Sequence, residues 1–146
     1  MNPVEWLLAG PQRRFLRDVR TLIARELEAV APTRMRTRYS VCGAWAFIDC
    51  GSVTIEVSYE MEFRDGVYVA AWPCDDSVEG DRPESATILG DSGLDAFNIE
   101  ERRRFFAWLG RRLAMDLPEV LASRSGLGQL AGLGTAYTGW KRELHP

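Results

Sequence analysis

Cysteine, histidine and paired carboxylates could do chemistry in this chain of 146 residues, and their spacing limits what they could do. Cysteines stand at positions 42, 50 and 74. Cys42 and Cys50 fall at opposite ends of one expected strand, about 26 Å apart at ~3.3 Å per residue, too far for a disulfide. Cys42 and Cys74 would sit near one sheet edge with a strand between them, about 10 Å apart at ~4.8 Å per strand. Three free thiols and a reducing compartment are therefore expected. No CxxC pair offers a zinc clamp. The only histidine is His145, so Cys–His or Ser–His–Asp catalysis would have to draw on a tail residue. Gly126-Leu127-Gly128-Gln129-Leu130-Ala131 has GxGxxA spacing, but a helix rather than a strand is expected before it, so no dinucleotide site is expected.

Carboxylates are the remaining candidates. Glu60 and Glu62 share one strand face about 6.6 Å apart along the chain, a spacing that would suit catalytic acids but is commoner on a solvated face. Asp75, Asp76, Glu79 and Asp81 lack the D-x-D-x-D-G order of a calcium loop. The expectation is no catalytic residue, no metal and no cofactor.

Charge is more informative than motif. Residues 1–41 hold eight arginines against four acids; residues 42–98 hold twelve acids against Arg64 and Arg82; residues 99–146 are basic again. Either the basic helices lie against the acidic sheet and loop, or the acidic loop meets a basic partner, where complementary charge speeds and selects association. The net charge of −3 argues against a nucleic-acid binder. Lys141 is the only lysine among 18 basic residues.

These residues must be positioned by a fold, and the hydrophobic pattern outlines it. Asn2-Pro3-Val4-Glu5 has the composition of a helix start with a capping box. Phe15, Leu16, Val19, Leu22, Ile23, Leu27 and Val30 form one stripe at helical spacing. Arg34, Arg36 and Arg38 alternate with Met35, Thr37 and Tyr39, and a second strand covers 44–49. Val53, Ile55, Val57, Tyr59, Met61 and Phe63 alternate with polar residues in a third. Asp65-Gly66 predicts a tight turn into a fourth strand, Val67–Trp72. Residues 73–98 read as a loop with a short edge strand at 87–89. Asn98 and Glu101 form a second capping signature ahead of a helix with core residues Ile99, Phe106, Leu109, Leu113 and Leu117, flanked by Phe105 and Trp108. Pro118 marks a kink or a new start.

The fold expected is a single α+β domain over 1–146: an N-terminal helix, a meander of four or five antiparallel strands, a long acidic loop, and C-terminal helices on one sheet face. The Gly-rich stretch 125–146 is expected to be a loosely ordered tail. With 46% hydrophobic residues the chain can fill a core. No apolar run approaches the ~20 residues of a membrane helix, so no membrane contact and a cytoplasmic location are expected.

A turn at Cys50-Gly51 would place Phe47 opposite Thr54 and Trp45 opposite Glu56. The Asp65-Gly66 turn would place Phe63 opposite Tyr68 and Tyr59 opposite Trp72 on the core side. The opposite face would carry Trp45, Phe47, Glu56, Glu60, Glu62 and Val69. Two functions follow. The first is a non-catalytic protein-binding domain using Asp75, Asp76, Glu79 and Asp81 with Trp45, Phe47, Glu56 and Glu60. In size, charge and element order the chain resembles immunity proteins that neutralise bacterial toxins, and less closely acidic secretion chaperones. That resemblance implies a basic partner, with the loop acids as a phosphate mimic. The second is a small-ligand binder or enzyme with a cleft between sheet and helices. Tyr39, Trp45, Tyr59, Tyr68 and Trp72 would line it, and Arg36 or Arg38 would grip an anion.

Overall fold

The computed structural model describes residues 2–61, 63–73, 86–89, 94–122 and 140, with backbone only for 63–65 and 86–89. The chain begins with α1 (Pro3–Leu8). Its capping box closes as the sequence requires: the Asn2 side chain accepts from the Glu5 amide, and Glu5 accepts from the Asn2 amide. α2 (Gly10–Val19) runs through a π-helical stretch (Arg20–Ala24) into α3 (Arg25–Leu27), forming one continuous rod. Five strands follow: β1 (Thr33–Ser40), β2 (Gly43–Cys50), β3 (Val53–Glu60), β4 (Phe63–Pro73) and β5 (Ala86–Leu89). They form one antiparallel sheet in the order β1-β2-β3-β4-β5, so the expected meander is present and the short segment at 86–89 is an edge strand. α4 (Ile99–Ala122) closes the described fold.

Both long helices cover one sheet face. Phe15, Val19, Ile23 and Leu27 from the first rod and Phe106, Leu109, Leu113 and Leu117 from α4 are fully buried against Ala46, Ile48, Ile55 and Val57. Leu22, also expected in the core, is only partly buried at its margin. A bidentate arrangement ties the helices: Arg102 of α4 donates to Asp18 of α2 and to the Ala96 carbonyl. α1 buries none of its residues.

Three expectations are corrected. The first concerns the β3–β4 hairpin. Glu60 pairs with Phe63 and Ser58 with Tyr68, so the chain reverses before Asp65-Gly66, and Gly66 lies inside β4 with φ 111°. The resulting slip is odd, and an odd slip exchanges the two faces of a strand. Val67, Val69 and Ala71 enter the core, while Tyr68 and Trp72 move to the opposite face. The alternating small apolar residues fit under the helices where two large aromatics would not. The β2–β3 turn also differs, at Gly51-Ser52, but its slip is even, so Ala44, Ala46 and Ile48 keep the core side while Phe47 moves opposite Glu56.

The second correction concerns α4. Phe105 and Trp108 are buried rather than flanking: Trp140 packs on Phe105 at a ring-centroid distance of 4.8 Å, and Phe105 stacks with Trp108 at 6.1 Å. Ile99 is instead half exposed. The third is Pro118, which neither breaks nor restarts the helix. Burial of Leu117 and Val120 carries α4 through it to Ala122. Cys42 and Cys50 are free thiols, exposed and buried respectively. Cys74 lies outside the described residues.

Candidate functional site

The sheet face away from the helices gathers many of the singled-out residues. Register places Arg34 opposite Asp49, Arg36 opposite Phe47 and Arg38 opposite Trp45. One strand further in, Phe47 faces Glu56 and Trp45 faces Ser58. Beyond these, Tyr68 and Trp72 pair with Ser58 and Thr54. The result is a row of arginines beside a band of aromatic rings. Small residues between the rings, Thr54, Ser58 and Ala70, are buried at its floor.

The contacts on this face are specific. Arg36 forks onto Asp49 with bonds of 2.9 and 3.2 Å, and Thr54 donates to the same carboxylate at 2.6 Å. The Arg38 guanidinium lies 4.5 Å from the centre of the Trp45 ring, a cation–π stack. Burial pushes the Glu56 carboxyl above its ordinary range, and the neighbouring Glu60 charge adds to this against the opposing pull of Arg38. Arg34, Arg36, Phe47, Asp49, Thr54 and Trp72 border a hollow of about 560 Å³ at the end of the band.

Among the described residues β1 is an edge of the sheet. Peptide groups of an antiparallel strand alternate between its neighbour and the outside. The two-residue Val41-Cys42 turn closes on the Ser40–Gly43 pair, so Met35, Thr37 and Tyr39 direct theirs outward. Among the described residues none of these three has a further hydrogen-bond partner. On the helix side of this edge, Arg13, Arg17, Arg20, Thr37 and Tyr39 surround a hollow of about 250 Å³. Arg13 is engaged by α1, donating to the Trp6 carbonyl and lying 3.7 Å above the Trp6 ring. Arg17 and Arg20 are exposed and, among the described residues, in no ion pair. The edge is thus flanked by arginines on both faces.

A third region lies where β3 ends and α4 begins. Tyr59, Glu60, Met61, Gly66, Asp95 and Phe97 line a cavity of about 520 Å³.

The structure brings Trp45, Phe47, Glu56, Arg36 and Arg38 onto one face and leaves Glu60 exposed at its end. Asp75, Asp76, Glu79, Asp81 and Glu62 lie outside the described residues. The five aromatics expected to line one cleft are divided: Tyr39 and Tyr59 face the helices, while Trp45, Tyr68 and Trp72 face away. Among the described residues no cluster of His, Cys, Asp and Glu could hold a metal ion, and no helix is long and apolar enough to cross a membrane. Sequence reasoning missed the helix side of the basic edge and the Tyr59 cavity. Both join residues distant in the chain, and only the alternation at Arg34, Arg36 and Arg38 hinted at the first. Comparison of the chain with protein families, curated proteins and solved structures gives no match.

Proposed function

We propose that this chain is a protein-binding domain, and that β1 receives an extended acidic segment of its partner as an added strand. The observation that carries the reading is the open backbone edge of Met35, Thr37 and Tyr39 between two sets of arginines. Main-chain bonds to such an edge supply affinity, and side chains on either face supply selectivity. Alternate residues of an added strand point to opposite faces. Acids at one parity would meet Arg34 and Arg38, and acids at the other would meet Arg17 and Arg20. The Trp45 and Phe47 rings provide apolar contact beside the first set. An antagonist or a chaperone that holds a partner's segment is the kind of role this covers.

Edge arginines also discourage sheet-to-sheet aggregation, so the test must separate binding from protection. The probe is a blocked peptide alternating Glu and Val, followed through the backbone amide spectrum of the labelled protein. Shifts centred on residues 33–40, absent with the matching Lys-Val peptide, are expected. Thr37→Pro removes an outward N–H that the sheet does not use and should abolish these shifts while leaving the remaining spectrum intact. Equal shifts with both peptides, or binding that survives Thr37→Pro, would overturn the reading.

A further inference from the structure

The cavity between the end of β3 and the turn before α4 is built from unlike parts that suit one kind of ligand. Tyr59 is only 5% exposed, yet among the described residues its hydroxyl has no hydrogen-bond partner. Its ring is held edge-on between Phe15 at 4.7 Å and Phe97 at 5.7 Å, so the phenol is fixed rather than free to turn away. The oxygen itself is not among the fully buried side-chain atoms that lack a partner, so it reaches the opening, where water or a ligand supplies its bond. Here the side chain lines an opening that can admit one.

The rest of the lining sets the ligand's charge. Glu60 and Asp95 border the cavity, and neither is in an ion pair among the described residues. One Asp95 oxygen accepts from the Phe97 amide at 2.9 Å, which fixes the carboxylate at the rim and leaves its other oxygen for a ligand. Arg102 and Arg14 act on Tyr59 electrostatically from the protein side. Neither lines the cavity, and the Arg102 charge is matched by Asp18. Phe97 and Met61 add exposed apolar surface. The volume, about 520 Å³, lies within the ordinary range of small-molecule sites.

We propose that this cavity binds an organic cation, a guanidinium or ammonium group on an apolar stem. The charged head would lie between Glu60 and Asp95 with an N–H donated to the Tyr59 oxygen. The stem would lie along Phe97 and Met61. Aromatic faces attract such cations, and the two carboxylates supply charge-assisted bonds. The ligand chemistry has two sources, an arginine or lysine side chain of a partner and a free small amine. This site lies at the end of β3, two strands in from β1, and shares no lining residue with the hollow beside the β1 edge, so it stands apart from the strand-addition proposal.

The test uses butylguanidinium with its neutral isostere butylurea, and a blocked pentapeptide with central arginine against its citrulline counterpart. Each is titrated into the labelled protein. Saturable amide shifts at 59–61 and 95–97 are expected with the two cations and not with the neutral compounds. Glu60→Gln combined with Asp95→Asn should weaken cation binding about tenfold or more, and Tyr59→Phe should weaken it less. Both acids are exposed, and Asn can still accept from the Phe97 amide, so the spectrum elsewhere should be preserved. An arginine peptide that binds about tenfold tighter than butylguanidinium assigns the ligand to a partner's side chain; equal or weaker binding assigns it to a free cation. Shifts of equal size with the neutral compounds, or no saturable shift with either cation, would overturn the proposal.

Discussion

A Cβ on Gly110 would lie 2.3 Å from the carbonyl oxygen of Leu22 and 3.2 Å from the Cα of Ile23. α4 therefore crosses the π-helical stretch backbone against backbone, and only hydrogen fits between them. In an isolated helix Gly→Ala stabilises by about 1 kcal/mol. Here the methyl group would push apart two main chains that anchor Ile23 and Leu109 in the core. Gly110→Ala should therefore lose about 1–3 kcal/mol in urea unfolding, the usual cost of overpacking. A gain in stability would mean that the helices do not meet at this point.

The Arg102–Asp18 pair is the second tie between the same elements. Arg102 is 3% exposed, and its Nε has no partner. Removing one member of a buried pair costs about 3–5 kcal/mol, because the other charge is left uncompensated. The two truncations should differ. After Arg102→Ala, the exposed Arg103 guanidinium, 3.8 Å from Asp18 in the native structure, can still balance that carboxylate. After Asp18→Ala, the deeper Arg102 charge has no such substitute. Asp18→Ala should therefore be the more destabilising in chemical denaturation, and the reverse order would show that Arg103 does not compensate.

Much of the fold was legible because its patterns are local. Both capping signatures act within one turn: Asn2 with Glu5, and Asn98 accepting the Glu101 amide at 3.2 Å. The Val53–Tyr59 alternation names the buried face of β3 without any knowledge of its neighbours. The next hairpin was misread because Asp65-Gly66 is a good turn on its own, whereas packing of Val67, Val69 and Ala71 under two helices decides the register. The burial of Phe105 is hidden for a similar reason, since Trp140, far along the chain, packs on it. Of the site, the facing pairs Arg38–Trp45 and Arg36–Phe47 followed only once β1 and β2 were aligned. The Tyr59 cavity depends on the 94–97 turn coming beside the end of β3, and no periodicity announces that.

Glu56 gives a pH-dependent expectation. Its folded pKa is raised, chiefly by burial and then by Glu60. The ionised form is thus disfavoured in the folded state. The group's contribution is fully favourable below the unfolded value, about 4.3, and is lost as pH rises through the folded value. Glu56→Gln removes that loss. The variant should be more stable than the parent at pH 7, and the difference should shrink as pH falls below about 4. Denaturant midpoints measured at several pH values check this. A variant less stable at pH 7 would show that attraction to Arg38 outweighs desolvation.

Tyr59 should titrate apart from the other tyrosines. Burial pushes its hydroxyl up to about 12, against the smaller opposing pulls of Arg102 and Arg14. An unfolded tyrosine ionises near 10. A raised acid favours the folded state at every pH below the unfolded value and loses that advantage as pH climbs through the folded one. Stability should therefore fall between about pH 10 and 12 as the unfolded chain releases a proton that native Tyr59 retains. Absorbance of phenolate separates this group from the rest, because the chain has four tyrosines. The native protein should show one hydroxyl ionising later than the others, and Tyr59→Phe should delete that late step alone. At pH 7 the same variant removes a hydroxyl without a protein partner, so its stability should match the parent's within about 0.5 kcal/mol. A late step that survives in Tyr59→Phe would assign the retained proton to another tyrosine, and a large loss at pH 7 would show that the Tyr59 hydroxyl is bonded after all.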